Sequence, residues 1–176
     1  FLVKYNSSGT KQWTKQLGTS SSSCFTNQYG YYHSYCGSSA GNGVTTDSSG
    51  NIYVTGFTIG GLDGNTSLGS SDIFLVKYNS SGTKQWTKQL GSSKDKLGNS
   101  NEQGKDVTTD SSGNIYVTGY TSGDLDGNTA LGAGDIFLVK YNSSGTKQWT
   151  KQLGTRSIDE GNSVTTDSSG NIYVTG

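Results

Sequence analysis

The sequence predicts an all-β fold of tandem four-stranded antiparallel units, three in number and not closed on themselves within the chain. Three observations carry this. Long stretches recur, FLVKYNSSGTKQWTKQLG at 1–18, 74–91 and 137–154 and VTTDSSGNIYVTG at 44–56, 107–119 and 164–176, and self-similarity of this kind marks a repeat array. The apolar residues gather into short β-branched and aromatic runs such as Ile52-Tyr53-Val54, bounded by Asn, Ser and Gly, as strands between turns require. No 3.6-residue periodicity persists over a helical length, so almost no helix is expected.

Taken in order, each unit reads as strands A to D. In the last copies A falls at 164–167, B at 171–176, C at 135–142 and D at 147–153. A and B are joined by Asp-Ser-Ser-Gly-Asn, and C and D by Asn-Ser-Ser-Gly-Thr. Both are tight hairpins in which the Asp or Asn side chain caps the turn and Gly supplies a positive φ. On this reading Asp47, Asp110 and Asp167 are hairpin caps, and the one Trp per repeat (Trp13, Trp86, Trp149) is a blade-packing residue rather than a ligand platform. The copies run approximately 1–73, 74–136 and 137–176, the last incomplete. The shortest unit has 57 residues, and insertions of 16 and 6 residues, at about 19–40 and 92–103, enter the first two copies at the same place. They are expected to project from one edge, where variable loops of repeat proteins carry specific contacts.

Only 29% of the residues are hydrophobic, with Gly, Ser, Thr and Asn dominant. Net charge is nevertheless zero, from 13 basic and 13 acidic residues, so self-repulsion does not hold the chain open, and nothing overall attracts it to nucleic acid or an anionic surface. No apolar run approaches the roughly 18 to 20 residues of a membrane-spanning helix. Met is absent altogether, so the 176 residues are expected to be a processed product or a segment of something longer.

The four-strand unit, the single Trp per repeat and the Asp-x-x-Gly-Asn hairpin, seen in SSGNIYVTG and DIFLVKYNSSGTKQWTKQLG, resemble the bacterial seven-bladed β-propeller repeat (SBBP) family over the whole chain apart from the insertions. The resemblance implies a scaffold of blades and supplies no catalytic residue. A parallel β-solenoid is the competing fold, but its coils have shorter periods and lack regular hairpins. Propellers close with roughly four to eight blades, which three units cannot provide. Read from Phe1, the strands run C-D, A-B-C-D, A-B-C-D, A-B. The terminal half-blades therefore expose complementary edges, the B edge at one end and the C edge at the other. The expected partner is a second copy, in a ring or filament, or further repeats of a longer chain.

Candidate sites are few. Cys24 and Cys36, the only cysteines, lie twelve residues apart in the first insertion. They are read as a disulfide contributing about 3 kcal/mol by loop closure, the alternative being two separate thiols, and the disulfide places the protein outside the cell or on its surface. A zinc site is disfavoured because His33 is the single histidine. Phe25, Tyr29, Tyr31, Tyr32 and Tyr35 cluster between the cysteines, as a local mini-core, a protein contact or a stacking surface for glycans. Asp124, Asp126 and Asn128, with Asp135 nearby, resemble an oxygen-rich calcium loop, and the first copy retains Asp63, Asn65 and Asp72. These ligands fall short of the six to eight oxygens calcium takes, so an Asp-Gly turn is the preferred reading and no cofactor is expected. Asn6, Asn65, Asn79 and Asn142 lie in N-glycosylation sequons, although turn chemistry alone explains their recurrence. No defensible triad, phosphate loop or acidic pair is present. The expectation is a non-enzymatic extracellular structural or surface-assembly protein, and the alternative a carbohydrate-binding, lectin-like propeller closed by oligomerisation.

Overall fold

The structure is a computed structural model that describes residues 1–19, 37–92 and 100–176. The described residues are all-β. Twelve strands follow one another: β1 Leu2–Tyr5, β2 Lys11–Lys15, β3 Ser39–Thr46, β4 Ile52–Thr58, β5 Asp72–Tyr78, β6 Lys84–Leu90, β7 Glu102–Thr109, β8 Ile115–Thr121, β9 Asp135–Tyr141, β10 Lys147–Leu153, β11 Ser163–Thr166 and β12 Ile172–Thr175. They form two four-stranded meanders, β3-β4-β5-β6 and β7-β8-β9-β10, and two two-stranded hairpins, β1-β2 and β11-β12. All named pairings are antiparallel. The chain thus consists of a C-D half-blade, two whole blades and an A-B half-blade, as the repeat predicts.

The A-B hairpins are held by their aspartates. Asp47 Oδ1 accepts from the Ser49 and Asn51 amides at 3.0 and 2.9 Å, while Oδ2 accepts from Asn51 Nδ2 at 2.9 Å and the Tyr53 hydroxyl at 3.0 Å. Asp110 and Asp167 repeat this set. In the C-D hairpins Asn79 Oδ1 accepts from the Ser81 and Thr83 amides, and Asn6 and Asn142 do the same. These side chains replace the backbone partners that a sharp reversal removes.

Strand A is longer in the whole blades than the repeat motif suggests. β3 and β7 begin at Ser39 and Glu102, ahead of Val44 and Val107, and cross an irregularity between Gly41 and Gly43, and between Gly104 and Asp106. The added residues pair with the ends of β4 and β8, Ser39 opposite Thr58 and Glu102 opposite Thr121.

The core lies between blades, not within one. Alternation along each strand gives a blade two faces. Tyr53, Ile73 and Leu75 of one face of the first whole blade, flanked by Trp86 and Leu90, pack against Val107, Val117, Phe137, Val139 and Tyr141 of the second. One junction earlier, Leu2, Trp13 and Leu17 of the N-terminal half-blade cover Ile52, Phe74, Val76 and Tyr78. The same two faces meet each time, so burial is a nearest-neighbour property of the array.

Candidate functional site: blade junctions and open ends

The junctions are built from residues that the repeat supplies at fixed places. Lys4 Nζ donates to the Ser80 carbonyl in the next C-D turn at 3.0 Å, and Lys77 Nζ donates to the Ser143 carbonyl at 3.2 Å. Beside each lysine contact a Trp ring lies against the glycine of that turn: a Cβ on Gly82 would stand 3.0 Å from Trp13, and one on Gly145 would stand 3.0 Å from Trp86. The A strands neighbour one another and are cross-linked in the same stepwise manner. Thr109 Oγ1 donates to the Thr46 carbonyl and Thr166 Oγ1 to the Thr109 carbonyl. Asn42 Nδ2 reaches the Gly104 carbonyl at 2.8 Å, and Asp106 Oδ2 accepts from the Val164 amide at 2.9 Å.

The two ends carry unfinished versions of this junction. Val44 is 59% exposed, whereas its counterpart Val107, covered by the preceding blade, is 3% exposed. A cavity of about 410 Å³ opens there, lined by Leu2, Val3, Tyr5, Asn42, Val44 and Val54 among others. At the other end Tyr173 is 53% exposed where Tyr53 is fully buried, and Leu153 is also exposed. Among the described residues β1 and β12 each pair on one side only.

The B-C loops are closed clasps. Asp63 and Asp126 adopt positive φ of 53° and 57° at the Asp-Gly turn. Asp63 accepts from Thr87 and pairs with Lys84, and Asp126 accepts from Thr150 and pairs with Lys147. Burial pushes both carboxyls up, but the hydrogen bonds and positive charge outweigh it and hold them below the usual carboxylate range. Asn128 Nδ2 donates to the Leu125 carbonyl at 2.8 Å, Asp124 Oδ1 accepts from the Ala130 amide at 2.7 Å, and Asp135 Oδ2 accepts from the Leu131 amide and Gln152. The residues suggested for calcium therefore lie in one loop and at the start of β9, where internal donors engage a carboxylate oxygen of each aspartate and Asn128 is spent on a carbonyl. Among the described residues no group of three or more His, Cys, Asp or Glu side chains is placed to hold a metal. Asn65 Nδ2 is likewise bonded to the Leu62 carbonyl at 2.7 Å. Of the sequon residues, Asn6 lies exposed at its turn, and Asn65, Asn79 and Asn142 are half-buried. Cys24, Cys36, Phe25, Tyr29, Tyr31, Tyr32 and Tyr35 lie outside the described residues.

One group escapes the sequence reading. Glu102, at the start of β7, is fully buried. Its Oε1 accepts from Ser92 Oγ at 2.8 Å and Thr121 Oγ1 at 3.2 Å, and its Oε2 from the Ser92 amide at 3.3 Å. Burial pushes the carboxyl up to about 7, the Ser92 and Thr121 bonds oppose that, and the charge of Asp72 adds to it.

The architecture defines a tandem array of four-stranded blades stacked face to face. The chain belongs to the beta-propeller repeat family, whose model matches residues 12–63, 85–126 and 148–176. It is 28% identical over 145 residues to the Regulatory protein FlaEY of Caulobacter vibrioides, covering 74% of this chain and 15% of that protein. It is also 32% identical over 172 residues to an uncharacterized WD repeat-containing protein of Acanthamoeba polyphaga mimivirus, covering 76% of this chain and 12% of that protein. The chain thus spans less than a sixth of the length of either relative.

Proposed function

We propose that the chain is a non-enzymatic repeat scaffold of the extracellular space or cell surface, whose open ends are completed head-to-tail by another copy or by further repeats of a longer chain. The observation that carries this is the repeated junction: the face left uncovered at each end is the face that is buried inside the array. Within the blades B and C pair with Ile52 opposite Tyr78, Val54 opposite Val76 and Gly56 opposite Phe74. The same register applied across the ends sets Ile172 opposite Tyr5, Val174 opposite Val3 and Gly176 opposite Phe1. The contact is heterologous, so it closes as a ring or continues as a filament.

Electron microscopy of the protein from its native source tests this. Regular fibres or discrete rings are expected, and isolated 18.5 kDa particles would refute it. The compartment rests on the Cys24 and Cys36 spacing, and intact-mass measurement of that same material, before and after reduction, checks the disulfide. An added mass of N-glycan would place the sequons in use.

One observation favours carbohydrate binding as a second reading. A cavity of about 670 Å³ is lined by Phe57, Ile59, Ser70, Ser71, Asn101, Gln103 and Ser38. An aromatic ring among uncharged hydrogen-bonding groups suits a sugar. Glycan-array binding that survives in the assembled protein and is lost with Phe57→Ala, or with Tyr31 and Tyr32 both changed to Ala, would favour this reading.

A further inference from the structure

The position five residues before the strand-A valine (Val44, Val107, Val164) differs in each copy. In the first whole blade it is Ser39, whose hydroxyl lies 2.9 Å from that of Thr58. In the last copy it is Asp159, which accepts from Thr155 on its own loop at 2.7 Å and is half-buried. Glu102 occupies the place in the second blade and is the one of the three that is both ionisable and fully buried.

Glu102 also sits where two blades are tied together. Its amide donates to the Ser71 carbonyl of the preceding blade at 3.0 Å, and Ser92, which follows strand D of that blade, supplies two of the three carboxyl contacts made among the described residues. The third contact, Thr121, stands at a branch: its hydroxyl lies 3.2 Å from Glu102 Oε1 and 3.1 Å from the Gly123 carbonyl. A hydroxyl has one proton to give. With Glu102 ionised, that proton serves the carboxylate. With Glu102 protonated, the carboxyl O–H donates to Thr121, and Thr121 is released to donate to Gly123. The hydrogen-bond frame accepts either state, but only the protonated one avoids a buried negative charge near Asp72, which is itself fully buried.

We infer that the junction between the two whole blades is a proton-operated latch, tight when Glu102 carries a proton and loosened when that proton passes to solvent. Among the described residues, the charged group acting on Glu102 from the packed elements is Asp72, on the preceding blade. Lys94, Asp95 and Lys96 lie outside the described residues. Because the folded-state value is raised above the ordinary 4.5, to about 7, the latch contributes fully below the ordinary value and is lost as pH rises through about 7.

The test is a pH titration of the full chain, following the Glu102 side-chain carboxyl carbon by NMR together with amide exchange at Glu102 corrected for its intrinsic rate. The carboxyl is expected to titrate near neutrality, and protection of the Glu102 amide to fall by up to about tenfold per pH unit between about pH 5 and pH 7. Glu102→Gln, which mimics the protonated form, is expected to abolish that dependence. A carboxyl that titrates in the ordinary carboxylate range, or a Gln variant with unchanged pH dependence, overturns the latch. Should Glu102→Gln not fold, the carboxyl titration of the unaltered chain decides alone.

Discussion

Compared in a Val174→Pro background, whose ends stay uncovered, Gly145→Ala isolates the energy of a blade junction, because Gly9 there provides a matched control. Both residues close an Asn-Ser-Ser-Gly-Thr hairpin with nearly the same backbone, φ +80° and +78°. An Ala at either must adopt a left-handed conformation, costing about 1–2 kcal/mol. At Gly9 no described residue beyond its chain neighbours lies within 4 Å of the new methyl group, whereas at Gly145 it would meet Lys88 Cε at 2.9 Å and the Trp86 ring at 3.0 and 3.1 Å. The lysine end can swing away, but the indole is wedged in the junction. Overpacking of this kind adds about 1–3 kcal/mol, so Gly145→Ala should cost about 2–5 kcal/mol and Gly9→Ala about 1–2. With roughly 2–4 °C per kcal/mol for a chain of this size, thermal melting by circular dichroism should separate the two variants by several degrees. Equal losses would refute the idea that the Trp-glycine contact carries junction stability.

Four further outcomes follow from the A-B turns and the B-C clasps. Asp110→Ala removes the acceptor for the Ser112 and Asn114 amides, Asn114 Nδ2 and the Tyr116 hydroxyl, and should cost about 1–3 kcal/mol by denaturant unfolding. For Asp110 itself, burial raises the carboxyl and the bonds from Asn114, Tyr116 and Ser112 more than offset that, leaving it below the ordinary 3.8. Its contribution is therefore present above that value and lost as pH falls through the lowered one, a decline that Asp110→Asn should flatten in acid melting curves. Asp126→Ala should lower the melting temperature by a few degrees through loss of Lys147 and Thr150, while added calcium should leave the melting temperature of the parent chain unchanged.

The hairpins were legible because their turns are local. Asp47 and Asn79 do in the structure what an Asp or Asn four residues before the last turn residue does in any tight reversal. The first halves of β3 and β7 were not legible. Ser39 to Gly43 and Glu102 to Asp106 carry little β-forming pattern, and their strand character comes from the facing ends of β4 and β8, a tertiary effect that overrides local propensity. Glu102 was invisible for a related reason. A charged residue at the end of a polar insertion reads as solvated, and only the folded junction shows Ser92 and Thr121 waiting for it. The lysine contacts could have been found: Lys4, Lys77 and Lys140 recur at one place in an otherwise apolar strand, and a charge kept there in every copy invites the question of what it reaches. Their partners, carbonyls one blade away, still require the stacking of blades to be known.

Sedimentation equilibrium of the 176-residue chain, over a range of concentrations and beside Val174→Pro, asks most directly whether the two ends fit one another. Proline on the free edge of β12 interrupts strand addition. The parent should show masses above 18.5 kDa that grow with concentration, and the variant should remain at the mass of one chain with its blades intact by circular dichroism. A parent chain that is folded yet stays at 18.5 kDa at every concentration would contradict head-to-tail completion.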